Sequence, residues 1–416
     1  MNEYKLKDLI HIHNGRPYAH LSDGIIPVYG SGGIICYVNE ALYDREAILL
    51  PRKGTLNNIM YSNQKIWVID TMYYATTNNK ACPYYLYRYL GLLNLSHLDS
   101  GSALPSMTQA TYYDIKVKLP NIKTQQRIAS VLSALDDKIE LNNRINAELE
   151  AMAKTLYDYW FVQFDFPDEN GNPYKSSGGK MVYSEELKRE IPEGWEVKQL
   201  KGNVKFERGI SYTSKEIENN DGIPMINLSS ITVDRKYRSK LKFYSGKNIN
   251  KKVSFGDMLI ACTDLTRNAD IIGSPISVPK EYEEYVFSMD LAKMEIITDK
   301  LKQNYLYMSL MTDYYHNFIK WYASGTNVLH LDLKGIEYYP LLFPNIDIQK
   351  KFAYKIKIIE EKKAFIINEN QKLASLRDWL LPILMNGQVG FKETTHKEEI
   401  IKSQQKKQHL ELLLSQ

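Results

Sequence analysis

The feature that most constrains this chain is an internal duplication. Residues 100–152 read SGSALPSMTQATYYDIKVKLPNIKTQQRIASVLSALDDKIELNNRINAELEAM. Residues 324–376 read SGTNVLHLDLKGIEYYPLLFPNIDIQKKFAYKIKIIEEKKAFIINENQKLASL. Ser100-Gly101, Pro120-Asn121-Ile122, Gln125, Ala129, Lys138, Asn146 and Leu149 recur as Ser324-Gly325, Pro344-Asn345-Ile346, Gln349, Ala353, Lys362, Asn370 and Leu373, always 224 positions later. A constant offset without gaps marks a repeated structural unit. Upstream the echo is weaker and the offset drifts: Gly15-x-x-Tyr18 with Gly209-x-x-Tyr212, Asp23-Gly24 with Asp221-Gly222, and Tyr4-x-Leu6-x-x-Leu9 with Trp195-x-Val197-x-x-Leu200. The chain is therefore two copies of a mixed region followed by a long helix. The helices are alike and the regions before them have diverged, as a common frame carrying two different readers would.

Residues 122–160 contain neither Pro nor Gly. Ile128, Leu132, Leu135, Ile139, Leu149 and Leu156 recur in alternating steps of three and four, with Asn142, Asn146 and Ala153 at the remaining seam positions. Phe352, Ile356, Ile359, Ile366, Leu373 and Leu380 form the second seam, with Asn370 in the place of Asn146. A period of 3.5 is that of a coiled coil, and an Asn in such a seam fixes register. A helix of this length spans roughly 57 Å and is unstable without packing. The two helices pack on each other, or each on its own mixed region.

The mixed regions, 1–119 and 191–343, hold short β-branched or alternating runs such as Ala47-Ile48-Leu49-Leu50, Lys65 to Ile69, Asp257 to Ala261 and Tyr285-Val286-Phe287. Helical stretches near 83–95 and 303–320 follow, giving α+β character. Residues 166–190, rich in Pro, Gly, Ser and Asn, read as a linker, and the Lys/Gln/Glu-rich tail 392–416 as frayed helix or an interaction extension.

Length and composition bound the function. A chain of 416 residues with 44% hydrophobic and 25% charged residues has the mass for two or three cores. A net charge of +4 does not by itself mark a nucleic-acid binder. Three dispersed cysteines without a CxxC exclude a disulfide scaffold and a Cys-based zinc site, and fit the cytoplasm. No apolar run is long enough for a membrane span. The 31 tyrosines suit either half-buried strands or an extended recognition surface. Catalytic motifs are missing: there is no GxxxxGK[ST] phosphate loop and no Asn-Pro-Pro-Tyr or Asp-Pro-Pro-Tyr motif. Gly30-x-Gly32-Gly33 reads as a turn, and Glu193 with Glu196-Val197-Lys198 is a poor nuclease motif. His11-x-His13 lacks a nearby third metal ligand and reads as structural.

One stretch carries a family resemblance. Gln125-x-x-Ile128-Ala129-x-x-Leu132-x-x-Leu135-Asp136-Asp137-Lys138-Ile139-Glu140-Leu141-Asn142 leads through Leu156-x-x-x-Trp160-Phe161 to Ile191-Pro192-x-Gly194-Trp195. In these motifs the chain resembles the specificity subunits of type I restriction–modification systems, over essentially its whole length. The second helix departs from the pattern, with Ile366-Ile367 where the first has an Asn pair.

The resemblance implies an α+β, pseudo-twofold architecture of two α/β target-recognition domains joined by two long antiparallel helices in an intramolecular coiled coil. The expected boundaries are 1–121 for the first recognition domain, 122–165 for the first helix, 166–190 for the linker, 191–344 for the second domain, 345–390 for the second helix and 391–416 for the tail. It implies a non-catalytic subunit in the cytoplasm that reads a split duplex DNA target, one domain per half-site. Its partners would be double-stranded DNA, two adenine-N6 methyltransferase subunits and restriction subunits, with no membrane. This chain would hold no cofactor; S-adenosylmethionine, ATP and Mg belong to the partner subunits. The rival reading is a structural coiled-coil adaptor without DNA readout.

Base readout needs polar side chains on projecting loops. In the first region these are Arg52, Lys53, Thr55, Asn57 and Asn58, then Tyr74, Thr76, Thr77, Asn78 and Lys80. In the second they are Arg235 and Arg238, then Thr263, Thr266, Arg267 and Asn268. Ser102 and the pair Thr326-Asn327 occupy matching places in the repeat and are candidates for a shared phosphate contact.

Overall fold

Strands Ala47–Pro51 and Met258–Ala261 are continuous apolar runs because each is covered on both faces. Ile48 and Leu50 enter one core cluster while Ala47 and Leu49 enter another. In the second copy Met258 and Ile260 face one cluster, and Leu259 and Ala261 the other. Around these central strands the computed structural model describes residues 1–95, 98, 105–218, 221–239, 241–247 and 249–388.

The chain divides into two compact units, residues 1–140 with 372–416 and residues 141–371. Unit 1 has an antiparallel sheet ordered Ile10–Asn14, Met72–Thr77, Ala47–Pro51, Met60–Ser62. Unit 2 has the same sheet, ordered Val204–Arg208, Leu291–Ile296, Met258–Ala261, Pro275–Ser277. A second sheet is shared too. In unit 1, Asp23–Gly30 pairs antiparallel with Gly33–Val38 and parallel with Trp67–Val68. In unit 2, Ile223–Ile226 pairs antiparallel with Lys242–Tyr244 and parallel with Tyr285–Phe287. Unit 2 extends this sheet with Ile217–Glu218 and Lys252–Val253. A two-stranded ribbon leads into each long helix: Asn2–Lys5 with Lys116–Leu119, and Glu196–Gln199 with Pro340–Phe343. The divergent regions are thus one topology.

The repeated residues explain why. A Cβ on Gly15 would sit 2.0 Å from the Ile69 carbonyl oxygen, and one on Gly209 would sit 2.2 Å from that of Phe287. Only glycine lets the chain leave the first strand so close to its neighbour. Asn121 and Asn345 cap the long helices, their Oδ1 atoms accepting from the Thr124 and Asp347 N–H groups at 2.9 Å. Gln125 and Gln349 are buried and make the same three bonds. Gln125 accepts from Cys82 N–H at 2.9 Å and donates to Lys80 O at 3.0 Å and Pro120 O at 2.9 Å. Gln349 accepts from Lys302 N–H at 2.9 Å and donates to Lys300 O at 3.1 Å and Pro344 O at 2.9 Å. Each amide latches its lobe to the start of its helix.

The long helices run Ile122–Tyr157 and Ile346–Met385. Within each unit they pair antiparallel and along the expected seam. In unit 1, Ile128, Ala129 and Leu132 share a core with Leu380, Leu381, Leu384 and Met385. In unit 2, Asn142 is buried and donates to Asn370 Oδ1 at 2.8 Å and Glu369 Oε2 at 2.7 Å, and Asn370 donates to Asn143 Oδ1 at 2.9 Å. The polar seam position therefore pairs Asn with Asn across the helices.

Residues 166–190 are folded rather than a bare linker. Phe166 stacks on Trp195 at 4.9 Å and on Tyr174 at 4.6 Å, and Met181–Ser184 forms a hairpin with Arg189–Pro192. The glycines serve turns, Gly171 at φ +83° and Gly178 at φ +90°, while the few aromatic residues supply the anchors. Composition alone weighs the turns more heavily than the anchors. The Trp160-Phe161 and Ile191-Pro192-x-Gly194-Trp195 motifs meet in this one aromatic cluster, with Phe161 against Trp195, Tyr305 and Phe352. Several tyrosines are core residues: Tyr85, Tyr112, Tyr244, Tyr285, Tyr305 and Tyr315 are fully buried.

Candidate nucleic-acid interface

Each central strand runs out into a loop, and a later segment lies beside it. In unit 1, Met107 N–H donates to Arg52 O at 3.0 Å and Gly54 N–H to Pro105 O at 2.9 Å. In unit 2, Leu331 N–H donates to Cys262 O at 2.9 Å, at the repeat position of the Met107 bond, and Thr263 and Asp264 pair with His330 and Leu329. The duplication thus extends to where the loops are held, although their sequences differ.

In unit 2 the loop is built around Asp264. Its carboxylate is fully buried and accepts from the N–H groups of Thr266, Ile271 and Ile272 at 2.6, 2.7 and 2.9 Å. Thr266 Oγ1 accepts from Asp270 N–H at 2.8 Å, and Ala269 sits at φ +54°. This frame projects Leu265, Arg267 and Asn268 into solvent. Beside it, strands Ala323–Ser324 and Leu329–Leu331 form a hairpin whose exposed tip carries Thr326 and Asn327. Thr263, Thr266, Arg267, Asn268, Thr326 and Asn327 are thereby brought together. Thr263 is buried and spends its hydroxyl on Asp290 Oδ1 at 2.9 Å, so it braces the loop instead of facing solvent. Burial pushes the neighbouring Cys262 thiol up to about 12.

In unit 1, Lys53 and Thr55 are exposed. Arg52 is half-buried, donates to Asp70 O at 3.3 Å and lies over the Tyr73 ring. Asn57 and Asn58 tie the loop down: Asn57 Oδ1 accepts from Leu95 N–H at 3.0 Å, and Asn58 donates to Ser31 O at 2.7 Å in the turn between Gly30 and Gly33. Ser102 lies outside the described residues.

Two groups of candidates sit elsewhere than a loop reading placed them. Tyr74, Thr76 and Thr77 belong to strand Met72–Thr77. Tyr74 stacks on His13 at 4.7 Å, and His13 packs edge-on to His11 at 4.6 Å. Burial and the adjacent His11 hold the His13 imidazole below its usual range. Asn78 closes the turn after this strand, donating to Asp8 O at 2.9 Å and accepting from Lys80 N–H at 3.0 Å. The Lys80 side chain is exposed. Met72 and Tyr74 face one core cluster and Tyr73 and Ala75 the other, and the polar run from Thr76 to Lys80 that follows them masked the strand. Arg235 also serves the fold: its guanidinium pairs with Asp313 and is only 17% exposed. Its neighbour Lys236 reaches Glu150 on the first long helix at 3.4 Å. The segment is a strut from lobe to helix, and a cavity of about 900 Å³ lies beside it. Arg238 is exposed and its Nε donates to Ser229 O at 3.0 Å.

The sequence reading missed the acids that anchor each lobe. In unit 1, Asp136 of the first helix takes Arg377 of the second at 3.0 Å and Arg88 of the lobe. In unit 2, Glu150 takes Lys363 of the second helix at 3.3 Å and Lys236 of the lobe. Arg377 and Lys363 stand at seam positions, where an apolar pattern passes over them. The signal available was a charge at a seam position, Lys363 and Arg377.

A duplicated lobe on a latched helix pair, presenting a held loop and hairpin, is the architecture of a recognition subunit. The type I restriction modification DNA specificity domain matches the chain twice, over residues 1–151 and 192–377, and the chain belongs to that family. It is 28% identical to the type I restriction enzyme MjaIX specificity subunit of Methanocaldococcus jannaschii, covering 74% of this chain and 69% of that one. It is 26% identical to the HindI specificity subunit of Haemophilus influenzae, covering 68% and 71%. The fold matches the type I restriction–modification S subunit from M. genitalium with a TM-score of 0.53 over 95% of this chain and 96% of that one, at 14% identity. The chain is a DNA sequence-specificity subunit and not a catalyst, the chemistry of such systems lying in partner subunits. Among the described residues, no helix is long and apolar enough to cross a membrane.

Proposed function

We propose that the two lobes read the two halves of a split duplex DNA target, and that the long helices dock two adenine-N6 methyltransferase subunits, to which restriction subunits add. The observation that carries the reading is that both lobes hold a loop at the same place on the same sheet, Lys53–Asn58 in one and Leu265–Asn268 in the other, with different side chains. A shared frame fixes position on the duplex, and differing loops give differing half-sites. Exposed Lys53, Thr55, Arg267, Asn268, Thr326 and Asn327 are the residues for base and phosphate contact.

The docking surface is supported by exposed apolar side chains on the second long helix. Unit 2 carries Tyr354, Ile358 and Phe365, four and seven residues apart and so on one face; unit 1 carries Leu376 and Trp379. Large apolar groups left in solvent on helices mark partner contacts. S-adenosylmethionine, ATP and Mg would be held by the partners, in the cytoplasm.

Co-expression with the cognate methyltransferase subunit tests this. The chain should co-purify with two copies and bind duplex DNA carrying the host's methylated motif. Phe365→Asp should abolish co-purification while leaving the helix content unchanged. A complex inert toward that DNA would overturn the reading.

A further inference from the structure

Trp321 is 89% exposed, the most exposed of the five tryptophans. Trp67, Trp160 and Trp195 are buried and Trp379 is 62% exposed on the second helix. The position of Trp321 is set by rigid neighbours. It lies in a single tight turn, Lys320–Tyr322, after the helix Asp313–Ile319. Ile319, just before it, is fully buried. Tyr322, just after it, packs on Phe318 at 5.4 Å and against Gly335, and its carbonyl accepts from Asp332 N–H at 3.0 Å. Ala323 N–H donates back to Lys320 O. With both flanks pinned, the indole is held outward.

The next two residues, Ala323–Ser324, are the edge strand of the hairpin whose tip carries Thr326 and Asn327. Trp321 therefore continues the candidate interface of unit 2 along its own chain. Its neighbours along the chain are polar and of both charges: Lys320 precedes it, Lys334 and Glu337 lie on the short helix whose Gly335 packs on Tyr322, and His330 and Ser324 are exposed on the hairpin that follows, with Asp332 after it. A solvent-exposed indole that continues a polar reading surface, with Lys320 beside it, suits a polyanion with apolar faces, and duplex DNA offers the deoxyribose faces of its backbone.

We propose that Trp321 is an apolar anchor of unit 2 that packs against the deoxyribose faces of the duplex next to the reading loop. It adds affinity without selecting sequence. The inference rests on the DNA-reading function proposed above.

The test uses the full chain assembled with its methyltransferase subunits and a duplex carrying the methylated motif. Trp321→Ala should weaken binding about tenfold or more, with Trp321→Phe retaining most of it, since burying a large aromatic side chain is worth about that much. The slope of log affinity against log salt should not change, because no cation is lost, whereas Lys320→Ala should lower it by about one. The methylated motif should stay the same. The fluorescence of Trp321, taken as the difference between the unsubstituted and Trp321→Phe complexes, should be protected by DNA from acrylamide quenching. Protection by the methyltransferase subunit alone would place Trp321 at a protein interface and overturn the inference. So would full quenching with DNA bound, which leaves the reading function intact. Absence of any DNA binding by the unsubstituted complex would remove both.

Discussion

Gln349→Ala would strand a buried Lys302 N–H and the Lys300 and Pro344 carbonyls at once. An unmade buried hydrogen bond costs more than a made one contributes, so we expect a loss of about 2 kcal/mol, read as a lower urea midpoint. Gln125→Ala should cost the same, because its partners, Cys82 N–H and the Lys80 and Pro120 carbonyls, are the equivalent backbone groups. His316 predicts a pH dependence. It is buried, its Nδ1 has no hydrogen-bond partner among the described residues, and burial, with Arg235 and Lys320 nearby, depresses its pKa from 6.5 to about 4. Between those values the unfolded chain binds the extra proton. Its contribution to stability, on the order of 2 kcal/mol, is complete above about pH 6.5 and is lost as pH falls toward 4. His316→Phe should flatten this limb of the urea midpoint against pH. Arg267→Ala should weaken target binding about tenfold and relax the motif at one position, with stability unchanged. Arg235→Ala should do the reverse, since its guanidinium is held by Asp313.

At the level of elements, the coiled-coil seam is a compromise between burial and specification. Asn142 and Asn370 pair where two leucines would bury more apolar surface. The double substitution Asn142→Leu with Asn370→Leu should raise the melting temperature while loosening helix register, visible as broadened or doubled cross-link patterns between the helices. The acids behave differently. Asp136→Ala leaves Arg88 and Arg377 side by side with 15% and 23% exposure, so it should cost about 2 kcal/mol, discounted for that partial exposure. The long helices and their seam were legible in the sequence because a period of 3.5 sustained over so many residues is that of a coiled coil. The strand Met72–Thr77 and the folded segment at 166–190 were not. Their patterning is short, and Tyr74 and Phe166 take their places from residues distant in sequence, His13 and Trp195.

For the whole molecule, two lobes of one topology predict a modular target. Mapping modified adenines in the host should give a motif of two separate parts. Replacing residues 192–343 with the matching region of a relative should change one part and leave the other. What the sequence determined by itself was the duplication, the two long helices with their heptad seams and the absence of catalytic motifs, because repeats and heptads are written in spacing that any reader can count. Which polar residues face solvent was decided by the tertiary structure alone. Arg235 and Arg267 are the same residue type on similar polar stretches. Asp313 captures the first, while Asp264, three positions before the second, spends its carboxylate on backbone N–H groups and leaves Arg267 free to reach outward. That difference depends on partners brought together only by folding.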